Sequence, residues 1–197
     1  MKTVIIIPAR YGSKRYKGKP LVKILGKEMV LRVADICKQV NNVKVFVATD
    51  SKKITDYCIE NNIQSLLTSK NCLTGTDRIA EVSEKISANQ YINLQGDEPI
   101  FPSDQLEIFI KNVIQDKTKV YTAITSIKDE KDYRNYSIPK MVFTKSKRLL
   151  YSSRAPIPGN KKELFKKAYK HICVYAFNKE HLFEFKNQKE KKNFEFI

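Results

Sequence analysis

The chain has 197 residues, 42% of them apolar, which is enough to enclose one core and excludes a disordered polymer. No apolar run approaches the ~20 residues of a membrane helix, and the opening residues form an apolar strand, so a soluble, cytoplasmic chain without signal peptide or membrane contact is predicted. A net charge of +16 raises nucleic-acid binding, but the lysines are scattered, notably over 161–170 and 186–192, and no nucleic-acid-binding motif accompanies them; most of the charge reads as surface lysine. Cysteines 37, 58, 72 and 173 lack C-x-x-C spacing and histidines at ligand spacing, which argues against zinc and for reduced, mostly buried thiols.

Val4-Ile5-Ile6-Ile7 reads as a strand buried on both faces, stopped at Pro8 because proline has no N–H for a sheet ladder. The loop that follows holds Arg10, Lys14, Arg15, Lys17 and Lys19, with Gly12 and Gly18 able to admit an anion close to the backbone. A cationic loop directly after a buried strand is how an α/β sheet presents a polyphosphate site; a solvated basic turn is the alternative. The stretch misses a Walker A loop: Gly12 to Gly18-Lys19 is one residue too long, and Pro20 stands where a magnesium-binding Ser or Thr belongs.

After an extended piece at Leu21 to Lys27, helical spacing predicts an amphipathic helix over Glu28 to Val40. A strand follows at Val43 to Ala48, closed by Thr49-Asp50, then a helix capped by Ser51 running to about Asn61, and a third strand at Ile63 to Leu67. This is the βαβ rhythm of a parallel sheet. Thr74-Gly75-Thr76-Asp77-Arg78 opens a helix with Thr76 or Asp77 as N-cap, and on spacing alone it could be no more than that. Tyr91 to Leu94 is a fourth strand leading into Gln95-Gly96-Asp97-Glu98-Pro99. Carboxylates just beyond a buried strand suit Mg²⁺, which takes one or two of them with phosphate oxygens and water; an acidic turn is the plainer reading.

A helix from Pro102 or Ser103 to about Gln115 and a strand at Lys119 to Ser126 follow. Next come a charged connector, Ile127 to Tyr136, and an antiparallel hairpin of Lys140 to Thr144 with Leu149 to Ser152. Ser153 to Pro158 is a rigid extended loop with one exposed cation, Arg154. A strand, Tyr169 to Phe177, carries His171, and Asn178 caps a short helix. The tail ends at Asn193 to Ile197 as if at the start of another helix. No G-x-S-x-G, H-E-x-x-H or G-x-G-x-x-G is present, which weighs against a serine hydrolase, a zincin and a dinucleotide oxidoreductase.

Six blocks in order carry a resemblance: the opening stretch from Ile6-Ile7-Pro8-Ala9-Arg10 to Leu21, then Val47-Ala48-Thr49-Asp50, Thr74 to Arg78, Leu94 to Pro99, Tyr151 to Pro158, and Lys170 to Phe177. With these, residues 4 to about 185 resemble the 3-deoxy-manno-octulosonate (Kdo) cytidylyltransferase family. Gly12-Ser13-Lys14 is similar to the related CMP-sialic acid synthetases, whereas Gly18 to Leu21, Gln95 to Pro99 and Ser153 to Pro156 follow the Kdo enzymes. The resemblance implies an α/β fold with a mainly parallel, Rossmann-like sheet of the nucleotide-diphospho-sugar transferase type. It also implies a smaller antiparallel section, residues 135–175, through which two chains pair as a homodimer.

The implied reaction joins CTP and an acidic 2-keto sugar into a CMP-sugar and pyrophosphate, with Mg²⁺, for lipopolysaccharide or surface glycan. By the same resemblance, Arg10, Ser13, Arg15 and Lys19 hold the CTP phosphates, and Thr76 and Arg78 lie in the cytidine pocket. Asp97 binds the metal. Gln95, Arg154 and His171 face the sugar acid. Lys19 and Asp97 are the residues closest to the chemistry. Two departures stand out: the family continues through a helix and a segment with a second metal-ligating Asp, and Cys173 replaces a usual glycine beside His171. The alternatives are activation of another acid sugar (an amino-Kdo or a nonulosonic acid), or a truncated or naturally short nucleotide-binding protein without turnover.

Overall fold

The computed structural model describes residues 3–12, 16–113 and 119–188. They fall into two compact units, one built from the chain up to Tyr121 and from Val174 onward, the other from Thr122–Cys173.

The first unit begins with β1, Thr3–Ala9, every residue of which is buried. Its β-branched side chains alternate between the two faces of the sheet, so both faces are covered. Pro8 does not stop this strand. It pairs with Ala48 across the neighbouring strand. Its carbonyl points to the other side, at Gly96, where the second ladder has already ended at Ile6 opposite Asn93. A strand residue presents its N–H and C=O to the same side, so the missing N–H faces a side on which no ladder continues.

The turn after β1 leads to a short 3₁₀ segment, Lys19–Leu21, with buried Pro20 in its first turn. A small hairpin follows, β2 (Lys23–Ile24) with β3 (Lys27–Glu28). Then come α1 (Met29–Lys38), β4 (Val43–Thr49), α2 (Lys52–Glu60), β5 (Ser65–Leu67), α3 (Gly75–Lys85), β6 (Gln90–Leu94) and α4 (Ser103–Val113). The strands β5, β4, β1 and β6 lie side by side, all parallel. Val4, Ile6, Ala48 and Tyr91 form one core with Ile79, Ala80 and Val82 of α3. Each valine or isoleucine among them contributes roughly 1.5–3 kcal/mol by leaving water.

Two caps differ from the sequence expectation. Ser51 stands at the N-cap of α2 but makes no side-chain cap bond. The N-cap of α3 is Thr74, not Thr76 or Asp77: the Thr74 hydroxyl accepts the Asp77 N–H while the Asp77 carboxylate accepts the Thr74 N–H. This reciprocal capping box satisfies two donors that the helix leaves unpaired.

The second unit holds most of β7 (Tyr121–Ser126), α5 (Glu130–Arg134), β8 (Lys140–Phe143), β9 (Leu149–Ser153) and the first part of β10 (Tyr169–Phe177). β8 and β9 form the expected antiparallel hairpin. The connector 127–136 is not irregular throughout, because Asp129 caps a helical turn by accepting the Asp132 N–H. Tyr133, Ile127 and Ala168 make a small core. Lys140 is fully buried, and its Nζ donates to the carbonyls of Asn135 (2.7 Å) and Arg154 (2.8 Å). Burial, with the Arg154 charge nearby, lowers its pKa.

From Val174 the chain is back in the first unit, where β10 pairs antiparallel with β6. There α6 (Lys179–Asn187), capped by the Asn178 side chain, packs on α3 and sends Leu182 into the core. The tail expected to begin a further helix lies outside the described residues.

Candidate active site

A cavity of about 650 Å³ opens in the first unit at the carboxyl edge of β1 and β6. Four segments meet there: Pro8 to Arg10 at the end of β1, Lys19-Pro20, the start of α3 with Thr74, Gly75 and Arg78, and Gln95-Gly96-Asp97 after β6. This is where an open α/β sheet leaves a crevice, because the strands stop and the loops diverge.

The cationic loop and the acid at 97 meet across it. Lys19 Nζ donates to Asp97 Oδ2 at 2.6 Å, with the two side chains 37% and 48% exposed. A pair this wet is worth about 0–1 kcal/mol, so an arriving anion or cation can part it cheaply. Arg10 is exposed at the rim. Ser13 and Arg15 lie outside the described residues.

Two glycines let the walls close. A Cβ on Gly96 would stand 2.7 Å from the Pro8 carbonyl oxygen, so only glycine lets the Asp97 loop cross the end of β1 this closely. A Cβ on Gly75 would stand 2.9 Å from the Gln95 amide nitrogen and 3.2 Å from Pro8 Cγ. The Gln95 amide in turn donates to Asn93 Oδ1 at 3.2 Å.

Arg78 is buried, its side chain 3% exposed. It donates to the Thr68 hydroxyl, to the Ser69 carbonyl (3.3 Å) and to Asp50 Oδ2 (3.3 Å). Removing one partner of such a buried pair costs about 3–5 kcal/mol. Thr76, two residues before Arg78, is half-buried and is not among the lining residues; Thr74 and Gly75 occupy the wall instead. Cys72 also lines the cavity; burial pushes its thiol pKa up to about 11, which keeps it protonated and unreactive near neutrality.

Asp97 is the one carboxylate among the lining residues. No group of three or more His, Cys, Asp or Glu side chains that could hold a metal gathers among the described residues. A single hard oxygen ligand beside a cation-lined cavity still fits Mg²⁺, which fills its remaining positions with phosphate oxygens and water.

Arg154 and His171 belong to the second unit. Arg154 is exposed and donates to the carbonyls of Tyr136 (3.1 Å) and Ser137 (2.9 Å). His171 Nε2 is 2.9 Å from the Thr122 hydroxyl, and burial lowers its pKa. Asp50 has no role predicted from the sequence, because its partners Tyr11 and Arg78 are distant in the chain; its place directly after a strand and its place in the Val47-Ala48-Thr49-Asp50 block were the available signals.

A parallel sheet with a cation- and carboxylate-lined cavity at its edge is the frame of a nucleotidyltransferase. The Cytidylyltransferase family model matches residues 4–197. A 3-deoxy-manno-octulosonate cytidylyltransferase of Polynucleobacter necessarius is 39% identical over 189 residues, covering 91% of this chain and 73% of the relative. The Escherichia coli protein of that name is 34% identical over 180 residues, again covering 91% and 73%. The solved structure of a CMP:2-keto-3-deoxy-manno-octonic acid synthetase complexed with CTP superposes with a TM-score of 0.90 at 35% identity, covering 97% of this chain and 80% of that one. The chain belongs to the cytidylyltransferase family and, within it, to the 3-deoxy-manno-octulosonate cytidylyltransferases.

Proposed function

We propose that this protein activates Kdo, a 2-keto sugar acid, with CTP, releasing pyrophosphate and a CMP-sugar destined for lipopolysaccharide or a related surface glycan. The observation that carries the reading is the Lys19–Asp97 pair across a cavity that Arg10 and Arg78 also line, in a chain of this family. The triphosphate enters between the two loops. Lys19 turns from Asp97 to the phosphates, and Arg10 neutralises charge at the rim, joined by Ser13 and Arg15 from the loop. Asp97 would hold Mg²⁺, which supplies charge neutralisation at the phosphate oxygens when bound.

The sugar's anomeric hydroxyl attacks the α-phosphorus in line and pyrophosphate leaves. No side chain is needed as a covalent nucleophile; the chain's residues orient the two substrates and offset the charge that develops. Arg78 serves the cytidine end, beside the wall that Thr74 and Gly75 form. Gln95, Arg154 and His171 serve the sugar acid, and a guanidinium is well matched to its carboxylate.

The same proposal covers assembly and location. Leu149, Leu150 and Tyr151 on β9 are about half exposed, an apolar strip that favours a homodimer through the second unit. No helix among the described residues is long and apolar enough to cross a membrane, and we assign the protein to the cytoplasm, with its CTP.

Pyrophosphate release tests this with CTP, UTP, ATP and GTP, each against Kdo, an amino-Kdo and a nonulosonic acid. Turnover is expected with CTP and Kdo, dependent on Mg²⁺. Preference for another nucleotide, or no turnover with any pair, overturns the assignment.

A further inference from the structure

One residue that lines the cavity, Arg78, is tied to a carboxylate outside the lining, Asp50. Asp50, just after β4, has a side chain only 15% exposed. Its two oxygens take different partners: Oδ1 accepts the Tyr11 N–H at 3.1 Å, and Oδ2 accepts Arg78 Nη2 at 3.3 Å. Tyr11 in turn closes the cationic loop, because its carbonyl accepts the Gly18 N–H at 2.9 Å, one residue before Lys19. Gly18 sits at φ 72°, and a Cβ there would come within 3.3 Å of the Tyr11 ring, so the closure is tight. A chain of contacts therefore runs from buried Arg78 through Asp50 and Tyr11 to the root of Lys19.

Two consequences follow from charge. Asp50 offsets the positive charge of Arg78 and fixes that guanidinium in the cavity wall. On the phosphate side, the pair of Lys19 with Asp97 is half-exposed, so a ligand can displace it at little cost. One carboxylate thus separates the two cationic roles and ties their positions together.

We propose that Asp50 is a positioning residue for the nucleotide: it holds the cationic loop and Arg78 in one fixed register, and touches no substrate itself. This rests on the nucleotide reading of the cavity given above.

Asp50→Asn gives the cleanest test. A carboxamide has one acceptor oxygen, so it can serve Tyr11 or Arg78 but not both, and it no longer offsets the arginine. The volume is unchanged. Three quantities are measured on parent and variant: CTP affinity by calorimetry without sugar, the KM values for CTP and for the sugar acid, and the melting temperature. Asp50→Asn is expected to weaken CTP about tenfold, in both Kd and KM, with the sugar-acid KM within twofold of parent. Asp50→Ala, which removes both acceptors, should weaken CTP further if it stays folded.

A folded Asp50→Asn protein with CTP affinity within twofold of parent overturns the proposal. So does an equal rise in both KM values, which would mean general loosening of the fold. Failure of the parent to bind CTP at all would instead defeat the nucleotide reading, so the two failures are distinct.

Discussion

Gly96→Ala probes the site through geometry alone. The new Cβ would sit 2.7 Å from the Pro8 carbonyl oxygen, and relief to ordinary contact at 3.4 Å requires a displacement of about 0.7 Å. Pro8 cannot yield easily, because it lies in a fully buried strand paired with Ala48. The loop must yield instead and carries Asp97 with it, away from Lys19. Overpacking of this kind costs about 1–3 kcal/mol, which lowers the melting temperature by roughly 2–12 °C for a chain this size. The cost in rate should be larger. A misplacement approaching 1 Å near the chemistry can cost about 100-fold, so kcat should fall about 10- to 100-fold at saturating CTP, sugar acid and Mg²⁺. Pyrophosphate release with a parallel melting curve reads both numbers. A variant that melts several degrees lower yet keeps the parent's kcat would refute the reasoning, because the loop would have moved without consequence for turnover.

Three further outcomes are expected. Gly75→Ala meets the flexible end of Gln95 at 2.9 Å but also the Pro8 ring at 3.2 Å, so its melting temperature should fall by a few degrees, less than for Gly96→Ala, whose clash at 2.7 Å is with backbone; the displaced amide should raise the sugar-acid KM by about fivefold, equivalent to one hydrogen bond of about 1 kcal/mol. Asp97→Asn breaks only a half-exposed ion pair, so stability should change by less than about 1 kcal/mol while turnover is lost; substantial activity at saturating Mg²⁺ would remove Asp97 from the metal role. Burial holds the His171 pKa below its usual 6.5, so the unfolded chain takes up this proton first as pH falls. The contribution of His171 is therefore present above pH 6.5 and lost below it, and His171→Gln should show a shallower decline of melting temperature on the acid side. Identical slopes for parent and variant would contradict this.

Much of the fold was legible because burial imposes pattern. Four consecutive β-branched residues can satisfy only a strand covered on both sides, and β1 is that strand. β10 runs over Tyr169–Phe177 as expected, and the β8–β9 hairpin lies within a residue of its expected ends. What escaped the sequence depended on partners far away in the chain. Pro8 looked like a stop, and only the early end of the β1–β6 ladder shows why a missing N–H is tolerated there. Thr74 rather than Thr76 caps α3, because the cap is decided by which residue three positions ahead can reciprocate, and that is Asp77. In the site, Lys19 and Asp97 were each legible as residues just beyond a buried strand, and parallel strands bring such positions to one edge, where the two meet. Asp50 was not, since its role lies in two contacts, 39 and 28 positions away, that no local spacing encodes.

The buried ammonium of Lys140 has a practical consequence. With both visible donations spent on main-chain carbonyls and no solvent access, it should resist acylating reagents that modify the many exposed lysines within minutes. Its labelling would then be timed by transient opening of the Thr122–Cys173 unit, making one amine a built-in clock for breathing of that part of the molecule.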